Sequence, residues 1–99
     1  MRDRVIAEFP AKAGKRDELE ATLRAALPDT RAFKGCRDIK TLFDDERQTF
    51  VLIEKWDSFA DYDKYIAWRR DNGLADLLEP LLEGGAAAFK ITKLQATDI

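Results

Sequence analysis

The chain has 99 residues, 36% of them charged and 45% hydrophobic, with a formal net charge of −2. That is enough apolar material for one core and no more, so residues 1–99 are read as a single domain without linker or repeat. The charge balance gives no basic field for a phosphate backbone, which argues against nucleic acid as a partner. No apolar run approaches a bilayer span or a signal segment, so the expectation is a cytoplasmic protein with no membrane contact.

The chain contains no histidine and one cysteine, Cys36. Zinc sites of Cys and His, Ser-His-Asp hydrolysis and a histidine-ligated haem are thereby excluded as written. Cys36 has no partner for an internal disulfide and no histidine to activate it as a nucleophile. It is expected to be buried at the start of a strand.

Arg4–Phe9 reads as a first strand, with Val5, Ala7 and Phe9 on one face and Ile6 on the other, stopped by Pro10. After a turn at residues 11–15, Leu19, Leu23, Ala26 and Leu27 recur at helical spacing and make one apolar stripe. Pro28 cannot donate to the carbonyl of Arg24, so the helix is expected to end or kink there, with residues 29–33 as a second helical piece. Cys36–Phe43 reads as a second strand with Ile39 and Phe43 on one face and Cys36 and Leu42 on the other. The acids of Asp44-Asp45-Glu46-Arg47 lack the wrapped oxygen ligands and sharp glycine turn a hard cation needs, so this is a solvated hairpin turn and no metal site is assigned.

In Phe50–Ser58, FVLIEKWDS, both faces are apolar: Phe50, Leu52 and Trp56 point one way, Val51 and Ile53 the other. Alternation in a half-covered strand would leave one face polar, so both faces of this one need cover. Asp57 or Ser58 then caps a helix carrying Phe59, Tyr62, Ile66 and the stem of Arg69 on one face, closed by Asn72-Gly73. A short apolar helix over residues 74–82, interrupted by Pro80, and a fourth strand over residues 86–94 complete the chain. The order strand, helix, strand, strand, helix, strand is that of an α+β, ferredoxin-like βαββαβ fold, with helices on one face of a four-stranded antiparallel sheet.

Gly14-Lys15, Thr30-Arg31-Ala32, Gly35-Cys36 and the strand ending in Glu54-x-Trp56-x-Ser58 occur in an order and spacing that resemble the antibiotic biosynthesis monooxygenase family, over nearly the whole chain. The resemblance implies a homodimeric α+β barrel, in which two sheets pack face to face and each subunit keeps a cavity between its sheet and its helices. It also implies a monooxygenase that uses no cofactor and oxidises a small aromatic, quinol or polyketide-like substrate with dioxygen. Relatives often carry a histidine seven residues after the serine that opens the second helix, and that position is Tyr65 here. Haem-degrading relatives use a histidine there or nearby, so haem is not expected to bind in that manner.

Tyr65 is the first catalytic candidate, suited to hydrogen bonding with a substrate oxygen, since a phenol of ordinary pKa, about 10, is a poor base. The plainer alternative is a tyrosine at the edge of the helix stripe with its hydroxyl in solvent. Glu54, a carboxylate on a central strand, must pair with a cation or have a raised pKa; an ion pair with a neighbouring Lys or Arg is the favoured of the two, and the raised pKa would mark a catalytic group. Phe33 and Trp56 are candidate substrate walls or ordinary core. Trp68 lies off the helix's apolar face and is expected to pack on residues 74–82 or on a partner subunit, or else to close one end of a pocket. Arg69, with Arg70, can steer an anionic substrate or simply suit the helix dipole. Two other functions fit the same barrel: an isomerase or other small-metabolite enzyme, and a non-catalytic ligand-binding or stress-associated dimer.

Overall fold

A computed structural model describes residues 3–99. Strand β1 (Asp3–Pro10) is followed by helix α1 (Arg16–Ala32), strands β2 (Cys36–Asp44) and β3 (Thr49–Trp56), helices α2 (Phe59–Asp71) and α3 (Leu74–Leu78), and strand β4 (Lys90–Gln95). The strands form one antiparallel sheet in the order β2-β3-β1-β4. This is the expected ferredoxin-like α+β arrangement, with two long helices and a short third one.

Register decides what faces the helices. Val5, Ala7 and Phe9 of β1 stand opposite Glu54, Leu52 and Phe50 of β3, and all six are buried. The alternate residues Ile6, Val51 and Ile53 are only half-buried, and Leu42 and Leu94 on the outer strands are exposed. The far face of the sheet is therefore apolar along its middle and uncovered within one chain.

Helix α1 does not break at Pro28. The carbonyl that loses its donor belongs to Arg24, on the exposed side where water can serve it, while Leu27 and Thr30 on either side of Pro28 are both buried and hold the two halves against the sheet. Phe33 turns the chain out of the helix, and Gly35, at φ +93°, passes so close to the start of α2 that a Cβ there would stand 2.5 Å from the side chain of Asp61.

The faces of β2 also differ from expectation. A bulge between Cys36 and Asp38 puts Cys36 opposite Trp56 and Asp38 opposite Lys55, so Cys36 shares the helix-facing side with Ile39. The extra residue, Arg37, makes a two-armed ion pair with Asp57, both arms 2.7 Å. Cys36 is half-buried; burial and the nearby Glu54 push its thiol up to about 11, so it is unreactive at neutral pH.

The Ser58 hydroxyl accepts from the Asp61 N–H at 3.1 Å and caps α2, while the Asp3 carboxylate accepts from Phe59 N at 3.0 Å. α3 is shorter than predicted, and Leu81 and Leu82 are buried beyond its end in irregular backbone. β4 also starts later. Gly84 and Gly85, both at positive φ, turn the chain into a tight 3-10 helix at Ala86–Ala88, whose first N–H reaches the Glu79 carboxylate at 3.2 Å. Phe89 then stacks on Phe9, with ring centroids 4.7 Å apart.

Candidate active site

Alternation along β3 puts Glu54 and Trp56 on the same side of the sheet, under α2. Trp56 is fully buried and packs against Tyr62 at 5.4 Å and Tyr65 at 5.3 Å between ring centroids. Its indole N–H donates to the Glu54 carboxylate at 2.9 Å. Glu54 is 3% exposed, its neighbours across the two adjacent strands are Val5 and Ile39, and no cation among the described residues pairs with it. The expected ion pair is absent because the register places aliphatic residues, not Lys or Arg, on either side. Burial instead raises the Glu54 pKa to about 7, against a smaller downward pull from the Trp56 hydrogen bond.

A second polar cluster joins α1 to α2. The Tyr65 and Thr30 hydroxyls are 2.8 Å apart. Arg69 donates from Nε to the Tyr65 oxygen at 2.9 Å, and from its other arm to Thr30 Oγ1 at 3.0 Å and to the Ala26 carbonyl at 2.8 Å. Since Arg69 can only donate, the Tyr65 hydrogen points to Thr30, and Thr30 donates in turn to the Ala26 carbonyl at 3.4 Å. Tyr65 keeps one lone pair for a further donor, beside a fixed positive charge. Its hydroxyl is thus engaged inside the protein and not in solvent, as the plainer sequence alternative had it.

Both clusters border one cavity of about 50 Å³ between the sheet and the three helices, lined by Glu54, Tyr62, Tyr65, Thr30 and Arg69 together with aliphatic side chains of α1 and α3. As it stands it is smaller than the roughly 150 Å³ known to admit benzene, so a ring enters only if the lining side chains move apart. Of the residues singled out in the sequence, Glu54, Tyr65 and Arg69 reach this lining; Phe33, Trp56 and Trp68 stand behind it. Trp68, 37% exposed, lies against Phe33 at 5.7 Å and beneath the Arg69 guanidinium at 4.7 Å, and so backs Tyr65 instead of packing on residues 74–82. Arg69 is folded inward, where its hydrogen bonds to Ala26, Thr30 and Tyr65 brace two helices.

Thr30 and Tyr62 were not singled out as site residues. Thr30 continues the spacing of Leu23 and Leu27, so a helix that runs through Pro28 puts its hydroxyl at a core position. Tyr62 sits on the helix stripe and looked like ordinary packing; burial pushes its phenol far above the usual range, and it stays protonated.

Residues 4–70 match the family model described as antibiotic biosynthesis monooxygenase. The chain belongs to the antibiotic biosynthesis monooxygenase family. Rv0793 from Mycobacterium tuberculosis is 27% identical, with a TM-score of 0.73 over 100% of this chain and 98% of that one. PA3566 from Pseudomonas aeruginosa is 26% identical, with a TM-score of 0.72 over 97% and 94%. A solved antibiotic biosynthesis monooxygenase, 22% identical, superposes with a TM-score of 0.79 over 96% and 98% and supports the shared fold. Among curated proteins, none matches. In this antibiotic biosynthesis monooxygenase family member, then, the helix-to-sheet cavity carries one carboxyl that titrates near neutrality and one oriented phenol. No helix among the described residues is long and apolar enough to cross a membrane.

Proposed function

We propose that the protein is a cofactor-independent monooxygenase for a small phenol, quinol or polyketide-like aromatic, acting as a homodimer. The observation that carries this reading is Glu54: a carboxyl with no paired cation among the described residues, with a pKa of about 7, lining the same cavity as Tyr65 in a family member. A carboxyl poised near the working pH is well matched to removing a phenolic proton. Tyr65, backed by Arg69, can accept the hydrogen bond of a second substrate hydroxyl and hold the ring in place. The electron-rich phenolate then reduces dioxygen; one oxygen atom enters a ring carbon as a carbonyl, and the other leaves as water with the single hydrogen lost from that carbon and the phenolic proton that Glu54 took up.

The test is oxygen uptake by purified protein with a panel of quinols and polycyclic phenols, without flavin, nicotinamide or metal. Uptake above the spontaneous rate, reduced about ten- to a thousandfold in Glu54→Gln and Tyr65→Phe with the fold kept, is the expected result. Product formed without oxygen uptake would favour the isomerase, for which Glu54 is an equally good proton carrier. For the dimer, the motive is the apolar far face at Ile6, Val51 and Ile53, which a second sheet would cover. Light scattering is expected to give twice the chain mass, and Ile53→Asp to shift it toward the monomer; a wild-type monomer would end the barrel proposal.

A further inference from the structure

On the other side of α1 from the cavity, the helix and the edge strand β2 leave an open cleft of about 320 Å³. That is at the lower end of volumes that hold small molecules, room for one or two rings. The α1 wall is Glu20, Arg24, Leu27 and Arg31, residues spaced so that they share one helix face. Phe43 and Phe50, tilted against each other with centroids 4.7 Å apart, supply an aromatic surface.

The charges in the cleft are unbalanced. Glu20 is taken by Arg24 at 3.4 Å, whereas no carboxylate among the described residues forms an ion pair with Arg31. One arm of Arg31 donates to the Ile39 carbonyl at 3.3 Å, which anchors a planar fork whose other N–H groups remain for a ligand. Arg16 adds a third guanidinium nearby, 4.2 Å above the ring of Phe43. Arg24 and Arg31 thus line the cleft and Arg16 stands over its Phe43, in a chain whose net charge is −2.

We propose that this cleft is a second small-molecule site, for an aromatic carboxylate of one or two rings. The ring lies against Phe43, Phe50 and Leu27, and the carboxylate takes the fork of Arg31, a two-armed geometry that an ammonium could not match. Leu23, Leu27 and Leu52 border both the cleft and the cavity, so they are the partition between the two sites. The proposal is independent of whether the cavity oxidises anything.

A titration of the isotope-labelled protein followed by amide NMR tests it, with 2-naphthoate as the probe and 2-naphthamide as its neutral counterpart. Naphthoate is expected to give saturable shifts on α1 and β2, with the amide binding at least about tenfold more weakly, and Arg31→Gln is expected to bring the two probes level. Thr41→Trp, a strand-compatible change at the cleft wall, is expected to abolish naphthoate binding even if the Arg31 variant folds poorly. Equal binding of acid and amide by the wild type overturns the proposal. So do shifts confined to the surroundings of Glu54 and Tyr65, binding that survives Thr41→Trp, or no saturation by about 5 mM, where affinity is too weak to be specific.

Discussion

Toward the Phe9 end of the sheet, Leu19, Leu23, Leu27, Leu78, Leu81 and Leu82 pack on Phe9, Phe50 and Leu52, a cluster built of hydrocarbon side chains. Toward the Asp3 end, under the same face, Val5 and Ile66 share their space with Trp56, Tyr62 and Tyr65, beside a buried carboxyl and a guanidinium. The first region gains stability simply by leaving water. In the second, burial without a paired cation among the described residues pushes the Glu54 pKa up to about 7, against the opposing pull of the Trp56 hydrogen bond. The second arrangement is the one that carries groups able to exchange a proton or orient a substrate.

The largest expected effect tests the hydrocarbon end. Leu19→Ala removes a fully buried side chain, and urea unfolding should show a loss of about 2–5 kcal/mol. That loss should be the same at pH 5.5 and 7.5, because no titrating group is involved. A strongly pH-dependent loss would break the distinction between the two ends.

Glu54→Gln tests the other end. The folded-state pKa of Glu54 is raised to about 7, so the folded protein favours the protonated form. Its contribution to stability is complete below the ordinary carboxylate value of 4.5 and is lost as the pH rises through about 7. Over that window the wild type should lose on the order of 3 kcal/mol. The glutamine variant should show a flat profile and exceed the wild type at pH 8 in thermal melts. With no histidine in the chain, few other groups change charge there. A wild-type profile that is already flat would show Glu54 to be ionised and solvated in the fold.

Trp56→Phe sharpens the same point. The indole hydrogen bond lowers the Glu54 pKa, so its removal should move the midpoint of the pH profile upward, at a cost of about 1–3 kcal/mol above that midpoint, where a charged acceptor has lost its donor. Thr30→Val is the smallest change. It keeps the shape of the side chain but takes an acceptor from Tyr65 and Arg69, and chemical denaturation should register a loss of about 1–2 kcal/mol. No loss would mean that the two helices are joined by packing alone.

Strand alternation and the Leu19-to-Leu27 stripe made the fold legible, because burial on one face leaves a periodic trace in sequence. Three features left no such trace. The continuation of α1 through Pro28 depends on which side of the helix carries the orphaned carbonyl, a rotational fact. The face of Cys36 depends on a one-residue bulge that no alternation count shows. The partner of Glu54 depends on register across three strands, and the register put Val5 and Ile39 where a cation was expected. In the candidate site, Glu54, Tyr65 and Arg69 could be picked out as polar groups interrupting apolar elements, whereas the way Arg69 turns inward to tie Tyr65, Thr30 and Ala26 together is a matter of side-chain geometry that spacing does not encode.

The hydrogen bond from Trp56 to Glu54 also gives the protein an internal optical probe. The chain has two tryptophans, Trp56 without solvent exposure and Trp68 partly exposed. In a Trp68→Phe background the only indole left donates directly to the carboxyl that titrates near neutrality. A negative charge appearing at that indole N–H should alter its emission, so a fluorescence scan against pH would read the ionisation of Glu54 directly, and displacement of that equilibrium by an added phenol would report occupancy of the cavity before any turnover is measured.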